Sequence, residues 1–339
     1  MMKKSSFTLL PAPAQGGYRE ADKWVWCGSA VEEPGKGYHL YASRWRKDYP
    51  MLYGYVLFSE IIHTFSETLN GPYRFIEKLQ PSGDPDKWNG MMAHNPTVIK
   101  YQDGYLMYYI ASTYQGEATP ADKIKEDTTL VFRCYDQIRI GLARSKSPAG
   151  PWEFLPEPVL EARPEKFDCT IVTNPAACVL PDGRIFLYYR SNIPGGGINT
   201  GLAVAETPAG PYLRGDTPAI HDLAIEDPFV WHNGENLEMI AKDISGNLTG
   251  EKHAGAHFVS TDGSQWLFQG KAYSRTIKLD NGNSVTLGSL ERPQLLFDAA
   301  GIPIALFAAA ADGPGGFDYA ENTWNQVIPL KFNGFVNLD

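Results

Sequence analysis

The stretch NPTVIKYQDGYLMYY, residues 95–109, recurs as NPAACVLPDGRIFLYY at residues 174–189. Each copy consists of a strand started by proline, a turn at Asp-Gly and a second strand rich in aromatic residues. Asp-Gly between two β-rich runs is a strong hairpin signal, because these residues tolerate positive φ. Weaker copies are DPFVWHNG at residues 227–234 and RPQLLF at residues 292–297. Repetition at a long period indicates supersecondary units that bury a core only jointly.

A second repeated unit ends on Gly-Pro and an aromatic residue. It stands at residues 70–73, 149–152 and 209–212, with a degenerate copy at residues 262–266. Alternating segments between the units suit a third strand with one buried face. Each complete repeat thus supplies about four short antiparallel strands, which is a propeller blade. We therefore predict an all-β fold, a single five-bladed β-propeller over residues 1–339 with four-stranded antiparallel blades around a central axis. The predicted blades start near residues 24, 94, 173, 226 and 291.

Helical periodicity is scarce in this chain. The best candidate is residues 119–127, inside an insertion over residues 114–136 that we expect to form a loop over one end of the blades. A doubly wound α/β fold would need regular helical crossovers between strands, and the sequence does not supply them.

Composition narrows the class of protein. The net charge of −9 and pI near 5.3 offer no basic face for a phosphate backbone, so we expect no nucleic-acid partner. The four cysteines have neither the density of a disulfide scaffold nor the spacing of a metal site. No stretch approaches the length of a transmembrane helix. We expect a soluble protein without a membrane partner, cytoplasmic, or periplasmic or secreted if a leader has been removed; the sequence does not set the oligomeric state.

Polar pairs stand at the predicted starts of the innermost strands, where a purely structural strand would more often carry Val or Ile. In a propeller these strands converge on the axis, so the pairs should form a ring around a central pocket. The pairs are Gly28-Ser29, His94-Asn95, Thr173-Asn174, Glu226-Asp227 and Glu291-Arg292.

Two neighbouring blades of this ring carry carboxylates. Glycosidic cleavage needs one carboxylic acid to protonate the leaving oxygen and one carboxylate to attack or to activate water. Asp227 and Glu291 meet that need if the blades bring them within roughly 5 to 10 Å. Glu226 is an alternative to Asp227, because neighbouring strand residues point to opposite faces. A turn cap for Asp227 and an ion pair between Glu291 and Arg292 are the structural alternatives.

These inlet strands resemble those of the five-bladed glycoside hydrolases of family 43 and their relatives, families 32, 62 and 117. EDPFVWHNG, residues 226–234, resembles the Asp-Pro strand that carries the general base in family 43, and ERPQ, residues 291–294, resembles its Glu-Gly-Pro strand with the general acid. The resemblance implies that Asp227 is the base, that Glu291 is the acid, and that the anomeric configuration is inverted.

The chain departs from the family pattern at its other inlets. Family 43 places the base in the first blade and a third carboxylate, which tunes the acid, in another inlet. Here the first blade offers Gly28-Ser29, and blades two and three offer Asn95 and Asn174. Either the acidic pair has moved to blades four and five, or the chemistry differs. Asp168 and Asp243 are the candidates for the missing carboxylate.

Further side chains of the predicted pocket suit a hydroxyl-rich ligand. Asn95 and Asn174 offer both donors and acceptors. His94 could hydrogen-bond a sugar, serve as an acid or ligate a metal, and a satisfied core histidine is the structural alternative. Arg190 and Lys242 end the second strands of blades three and four, where a ligand contact and an intramolecular salt bridge are both reasonable. Trp26 could stack on a sugar face, as could Trp24 and Trp45. The predicted substrate-binding residues are therefore His94, Asn95, Asn174, Arg190, Lys242, Asp243, Trp26, Arg292 and Asp168.

The sequence thus predicts a glycosidase that acts on terminal sugars of plant or algal oligosaccharides by carboxylate acid/base catalysis. We expect exo action because the insertion at residues 114–136 and the loop at residues 246–257 should wall the pocket. Two alternatives stay open: a phosphate-dependent glycoside phosphorylase similar to family 130, and a carbohydrate-binding propeller without catalysis. We expect no metal ligand set and no required cofactor, with a structural Ca²⁺ or another cation on the axis as an alternative.

Overall fold

The computed structural model describes residues 2–79, 83–193, 196–221 and 223–338, and it confirms the predicted five-bladed β-propeller. Five four-stranded antiparallel sheets surround a central axis. The chain opens with strand β1 (Lys3–Leu9), which belongs to the last blade.

The first three blades follow one another along the chain. Blade one contains β2 (Lys23–Glu33), β3 (Gly37–Arg46), β4 (Glu60–Ser66) and β5 (Arg74–Leu79). Blade two contains β6 (Met92–Tyr101), β7 (Gly104–Ser112), β8 (Arg139–Ser145) and β9 (Glu153–Phe154). Blade three contains β10 (Thr173–Val179), β11 (Ile185–Asn192), β12 (Ile198–Ala205) and β13 (Leu213–Arg214).

The last two blades close the ring. Blade four contains β14 (Ile225–His232), β15 (Leu237–Asp243), β16 (Gly255–Ser260) and β17 (Leu267–Tyr273). A small hairpin of β18 (Thr276–Lys278) and β19 (Ser284–Thr286) leads to blade five. Blade five contains β20 (Ser289–Phe297), β21 (Pro303–Ala311), β22 (Thr323–Asn337) and β1. Because β1 pairs with β22, both ends of the described chain share one sheet.

The hydrophobic core lies between neighbouring blades. Their middle strands contribute large side chains that are almost completely buried, among them Tyr108, Tyr188, Phe258 and Phe307. A sheet face that cannot be covered within its own blade is covered by the next one, which is why the blades fold only together.

Two helices lie above one end of the blades and pack against each other. They are α1 (Met51–Phe58) and α2 (Thr129–Asp136), and a single turn of 3₁₀ helix follows at Phe317–Tyr319. The predicted helix at residues 119–127 is wrong, because these residues form successive turns and the helix begins at Thr129. Helix α1 was not predicted, since its sequence MLYGYVLF is apolar almost throughout and lacks the one-sided pattern of a surface helix. No described helix is long and apolar enough to cross a membrane.

Candidate active site

A cavity of about 450 Å³ lies over the propeller axis, between the starts of the innermost strands and the two helices. Its floor is polar and charged, and its upper wall is largely apolar. Glu226, Asp227 and Glu291 all line it. The principal carboxylates expected from the sequence therefore share one cavity.

Each innermost strand has an irregularity in its pairing at the cavity floor, and the residue there has positive φ. These residues are Cys27, Asn95, Asn174, Asp227 and Arg292, with φ between 51° and 60°. Non-glycine residues rarely adopt this conformation, and asparagine and aspartate tolerate it best. The irregularity turns two consecutive side chains toward the axis.

The pair in blade one differs from the prediction. The break in register falls between Trp26 and Ser29, so Trp26-Cys27 occupies the position equivalent to the pairs in the other blades. The expected pair Gly28-Ser29 lies just beyond it. The signal that could have located it is the residue after each pair, which is Pro in the other four blades and Gly28 in this one.

Lys242 links two carboxylates of the cavity wall. Its Nζ lies 2.7 Å from Glu226 Oε2 and 2.7 Å from Glu291 Oε2. The Glu226 and Glu291 oxygens that contact Lys242 are therefore at most about 5.4 Å apart. Burial lowers the pKa of Lys242, but the charges of Glu291 and Glu226 outweigh it and raise the pKa overall.

Glu226 is held as a carboxylate. Arg190 Nε lies 3.2 Å from its Oε1, on the side opposite to Lys242. Burial raises the pKa of Glu226, but the charges of Lys242 and Arg190 outweigh it and bring the pKa to about 2. Glu226 is thus ionised at every ordinary pH.

Asp227 has the opposite balance. Burial, together with the charge of Glu226, raises its pKa to about 6 against the lowering effect of Arg292 and Lys242. Its Oδ1 accepts a hydrogen bond from Asn174 Nδ2 at 2.6 Å, and Arg292 Nη1 lies 3.4 Å away. Two neighbouring carboxylates are therefore driven apart in pKa, which is how acid and base roles separate in hydrolases.

The side chains of the positive-φ residues contact one another in sequence around the axis, and we call them the axial ring. Asn95 Nδ2 donates to Asn174 Oδ1 at 2.8 Å, Cys27 Sγ contacts Asn95 Oδ1, and Arg292 lies beside Cys27. Ca²⁺ takes about six to eight oxygen ligands. A ring with one carboxylate, a thiol and a guanidinium does not suit this cation. Among the described residues, no group of three or more His, Cys, Asp or Glu side chains is arranged to hold a metal.

His94 also lines the cavity, next to the axial ring. Its Nδ1 lies 2.7 Å from Ser59 Oγ, and burial with the charge of Arg292 lowers its pKa to about 3. The imidazole is thus neutral at ordinary pH and can hydrogen-bond a ligand, but it is a poor proton donor.

Aromatic side chains from the two helices and the 3₁₀ turn cover the cavity. Trp26 packs edge-on against Phe317, and the hydroxyl of Tyr135 lies 3.3 Å from Arg190 Nη2. Phe132 is 58% exposed at the mouth. Sequence reasoning missed this cover, apart from placing an insertion over the blades. The residues of α1 that line the cavity are Met51, Leu52, Tyr53, Tyr55 and Val56.

Two of the predicted site residues do not line the cavity. Asp168 is fully buried, and its oxygens are occupied by Arg163 Nε at 2.9 Å, Arg214 Nη1 at 2.9 Å and the hydroxyl of Tyr189. Asp243 accepts hydrogen bonds from the amides that follow it, which lowers its pKa although burial acts the other way. Both carboxylates stabilise loops, and Glu226 is the third carboxylate of the cavity instead.

Of the two segments expected to wall the cavity, one does so and the other does not. Residues of α2, within residues 114–136, line the cavity, whereas residues 246–257 do not. Of the tryptophans considered, Trp26 and Trp45 line it and Trp24 does not. Trp24 instead donates to the carbonyl of Tyr49 at 2.8 Å.

Solved structures share this architecture at low sequence identity. Zg3597, a family 117 glycoside hydrolase from the marine bacterium Zobellia galactanivorans, is 14% identical, with a TM-score of 0.62 over 97% of this chain and 90% of that one. The fold is that of glycoside hydrolase propellers. A thermostable family 43 glycoside hydrolase is 16% identical, with a TM-score of 0.57 over 96% of both proteins. BT0996, solved as a complex with RGII, is 14% identical, with a TM-score of 0.64 over 96% of this chain and 92% of that one. No protein-family model and no curated protein sequence matches the chain.

Proposed function

We propose that this propeller is a glycosidase that removes a terminal sugar from an oligosaccharide. The observation that carries the proposal is the convergence of Glu226, Asp227 and Glu291 on one cavity over the axis. The similarity in fold to glycoside hydrolases of families 117 and 43 supports it. A hydrolase of this kind needs no cofactor, because carboxyl groups supply both proton transfers.

Asp227 is the proton donor in this proposal. A group with a pKa of about 6 is protonated in a useful fraction of molecules in weakly acidic solution, and it can still release its proton. Glu226 raises the pKa of Asp227 and so serves as its tuning carboxylate. Glu291, oriented by Lys242, is then the carboxylate that activates water or attacks the sugar. These roles are the reverse of those that the family 43 resemblance implies for Asp227 and Glu291.

The cavity supports exo action. Ligand pockets commonly measure about 300 to 1,000 Å³, and a volume of about 450 Å³ suits one or two sugar rings. The axial ring lies beneath, and the helices narrow the mouth above. Product analysis on a defined oligosaccharide should show monosaccharide from the first minutes, and release of internal fragments would contradict exo action.

Leaving-group dependence tests the role of Asp227. A good leaving group departs without protonation, so Asp227→Asn should retain most of its kcat on a 2,4-dinitrophenyl glycoside. The same variant should lose about 10²- to 10⁴-fold on an alkyl glycoside or a disaccharide. Glu291→Gln should lose activity on both substrates, and added azide should restore part of it. If Glu291→Gln is the leaving-group-dependent variant, the roles are exchanged. NMR of the first anomer released then distinguishes retention from inversion.

Phosphorolysis is the second candidate. It is favoured by Arg190, Lys242 and Arg292, which bring three cationic side chains to the same cavity. Each of them has a carboxylate partner within 4 Å, however, which leaves less charge for a dianion. Turnover that requires added phosphate and yields a sugar phosphate would favour this candidate over hydrolysis.

A further inference from the structure

Arg292 has unused hydrogen-bonding capacity at the floor of the cavity. The residue is 3% exposed, and its Nε and Nη2 have no hydrogen-bond partner among the residues that the structure describes. Among the described carboxylates, the one that it contacts is Asp227, whose Oδ1 lies 3.4 Å from Nη1. Leaving buried donors unpaired costs free energy, and a charged donor costs most. The guanidinium lies beside Cys27 and borders the cavity, so ordered water or a ligand in the cavity can complete its hydrogen bonds.

The geometry of the unpaired donors indicates what the ligand would be. Nε and Nη2 form one edge of the guanidinium, and such an edge matches the two oxygens of a carboxylate in a bidentate pair. Arg190 lies in the same cavity, but its Nε is already engaged in the ion pair with Glu226 Oε1 at 3.2 Å, so the free edge belongs to Arg292. A single hydroxyl oxygen cannot match both donors in the parallel geometry that the two oxygens of a carboxylate provide.

We propose that the cavity floor is an oxyanion subsite centred on Arg292, and that it binds the carboxylate of a terminal uronic acid. The inference rests on the proposed function and names its substrate class. The same donors could receive inorganic phosphate. The carboxylate is favoured because it brings one negative charge into a buried set of three cations and three carboxylates.

A carboxylate bound at Arg292 would also change the protonation of Asp227. A bound carboxylate adds one negative charge next to Asp227 and shares the guanidinium that now supports the Asp227 anion, so it favours the protonated form of Asp227. The titratable groups facing Asp227 are Glu226 on its own strand, Glu291 and Arg292 on β20, Lys242 on β15, Cys27 on β2 and Tyr273 on β17. Asp227, whose pKa is raised by burial to about 6, can accept a proton near neutral pH. Binding of a uronate at pH 7 should therefore be accompanied by proton uptake.

Calorimetry on the full chain tests the subsite with matched ligands. Glucuronate and galacturonate are compared with glucose and galactose, and inorganic phosphate is a further arm. We expect a uronate to bind at least about tenfold more tightly than its neutral partner, since a charge-assisted bidentate pair is lost in the latter. The apparent binding enthalpy should change with the ionisation enthalpy of the buffer, as proton uptake requires.

Variants separate recognition from folding. Arg292→Gln should bring the uronate and the neutral sugar to within about twofold, and Arg292→Lys should restore only part of the preference because it lacks the fork. Arg214→Gln, which removes a guanidinium from Asp168 outside the cavity, should leave the preference unchanged. If Arg292→Gln does not fold, the comparison between Arg292→Lys and wild type still measures the contribution of the fork.

The outcomes are distinct. Equal binding of uronate and neutral sugar by the wild type overturns the subsite and leaves the proposed glycosidase standing. Binding of phosphate without uronate overturns it in favour of phosphorolysis. If none of the four sugars binds, the subsite is overturned, and the proposed glycosidase is then judged by its own test, turnover of a 2,4-dinitrophenyl glycoside.

Discussion

Asp227 and Glu226 are adjacent in sequence and share one cavity, yet their pKa values differ greatly. Arg190 and Lys242 surround Glu226, so ionic attraction overcomes burial there. For Asp227 burial dominates, and the anionic Glu226 adds to it. Two carboxyl groups with the same chemistry thus acquire different roles from their neighbours.

The pH dependence of the rate follows from this pKa. Because Asp227 must carry a proton to donate it, kcat/KM should be at its highest below pH 6 and fall as pH rises through about 6. A series of kcat/KM measurements from pH 4 to pH 8 on an unactivated substrate checks this. A rate that instead increases through pH 6 would show that the ionised form of Asp227 is required.

Lys242 holds two buried carboxylates at once, so its removal should be costly. Lys242→Met should lower the free energy of unfolding by about 3 to 5 kcal/mol, the range for breaking a buried ion pair from one side. Lys146→Met is the control, because Lys146 pairs with Asp103 in solvent and should change the value by less than about 0.5 kcal/mol. Denaturant unfolding at pH 7 measures both, and similar losses for the two variants would contradict the expectation.

At the residue level, the sequence predicted which polar side chains meet at the axis but not how they pair. Lys242 and Glu291 come from different blades, and their contact depends on blade packing that no local pattern encodes. Asp168 and Asp243 illustrate the converse, since an aspartate near a strand end looks the same in sequence whether it faces a ligand or ties down a loop.

Among the secondary-structure elements, the innermost strands were the most predictable. In four blades a proline follows the polar pair and marks the break in strand register. In the first blade Gly28 stands in place of this proline, and the pair lies at Trp26-Cys27 and not at the predicted Gly28-Ser29. The helices were the least predictable. Helix α1 packs against α2 and lines the cavity, and its residues are apolar almost throughout, so no polar face gives a periodic signal.

The position of α2 at the mouth leads to a prediction for substrate binding. Phe132→Ala should raise KM for an oligosaccharide several-fold and leave kcat nearly unchanged, because the exposed ring lines the cavity but has no group that transfers a proton. Its exposure implies a change in unfolding free energy within about 0.5 kcal/mol. Leu213→Ala, at an exposed apolar position on β13, is the control and should leave KM unchanged. A fall in kcat with constant KM would place Phe132 in the chemical step instead.

For the whole molecule, the repeats were sufficient to predict the architecture, because blade number follows from counting units that cannot bury their faces alone. Counting the repeats did not predict how the ring closes. Strand β1 joins blade five and is also fixed to blade four by the buried Glu238, which accepts hydrogen bonds from the amide and hydroxyl of Ser5. His257 Nε2 lies 2.6 Å from the same carboxylate.

Glu238 should therefore contribute to the stability of the closed ring. Glu238→Gln keeps the size of the side chain but replaces an oxygen acceptor with a donor, and it should lower the free energy of unfolding by about 1.5 to 3 kcal/mol. Glu235→Gln, which affects an exposed pair with Lys3, should cost less than about 0.5 kcal/mol. Equal effects in denaturant unfolding would show that the buried carboxylate gives ring closure no special support.

The axial ring has a kinetic consequence for a polymeric substrate. Because Cys27, Asn95, Asn174, Asp227 and Arg292 pack side by side beneath the cavity, a glycan cannot thread through the propeller. The cleaved sugar must leave by the entrance that the shortened polymer also uses. Each cut should then require dissociation of the polymer, and the enzyme should work distributively, trimming all molecules of a mixture in parallel.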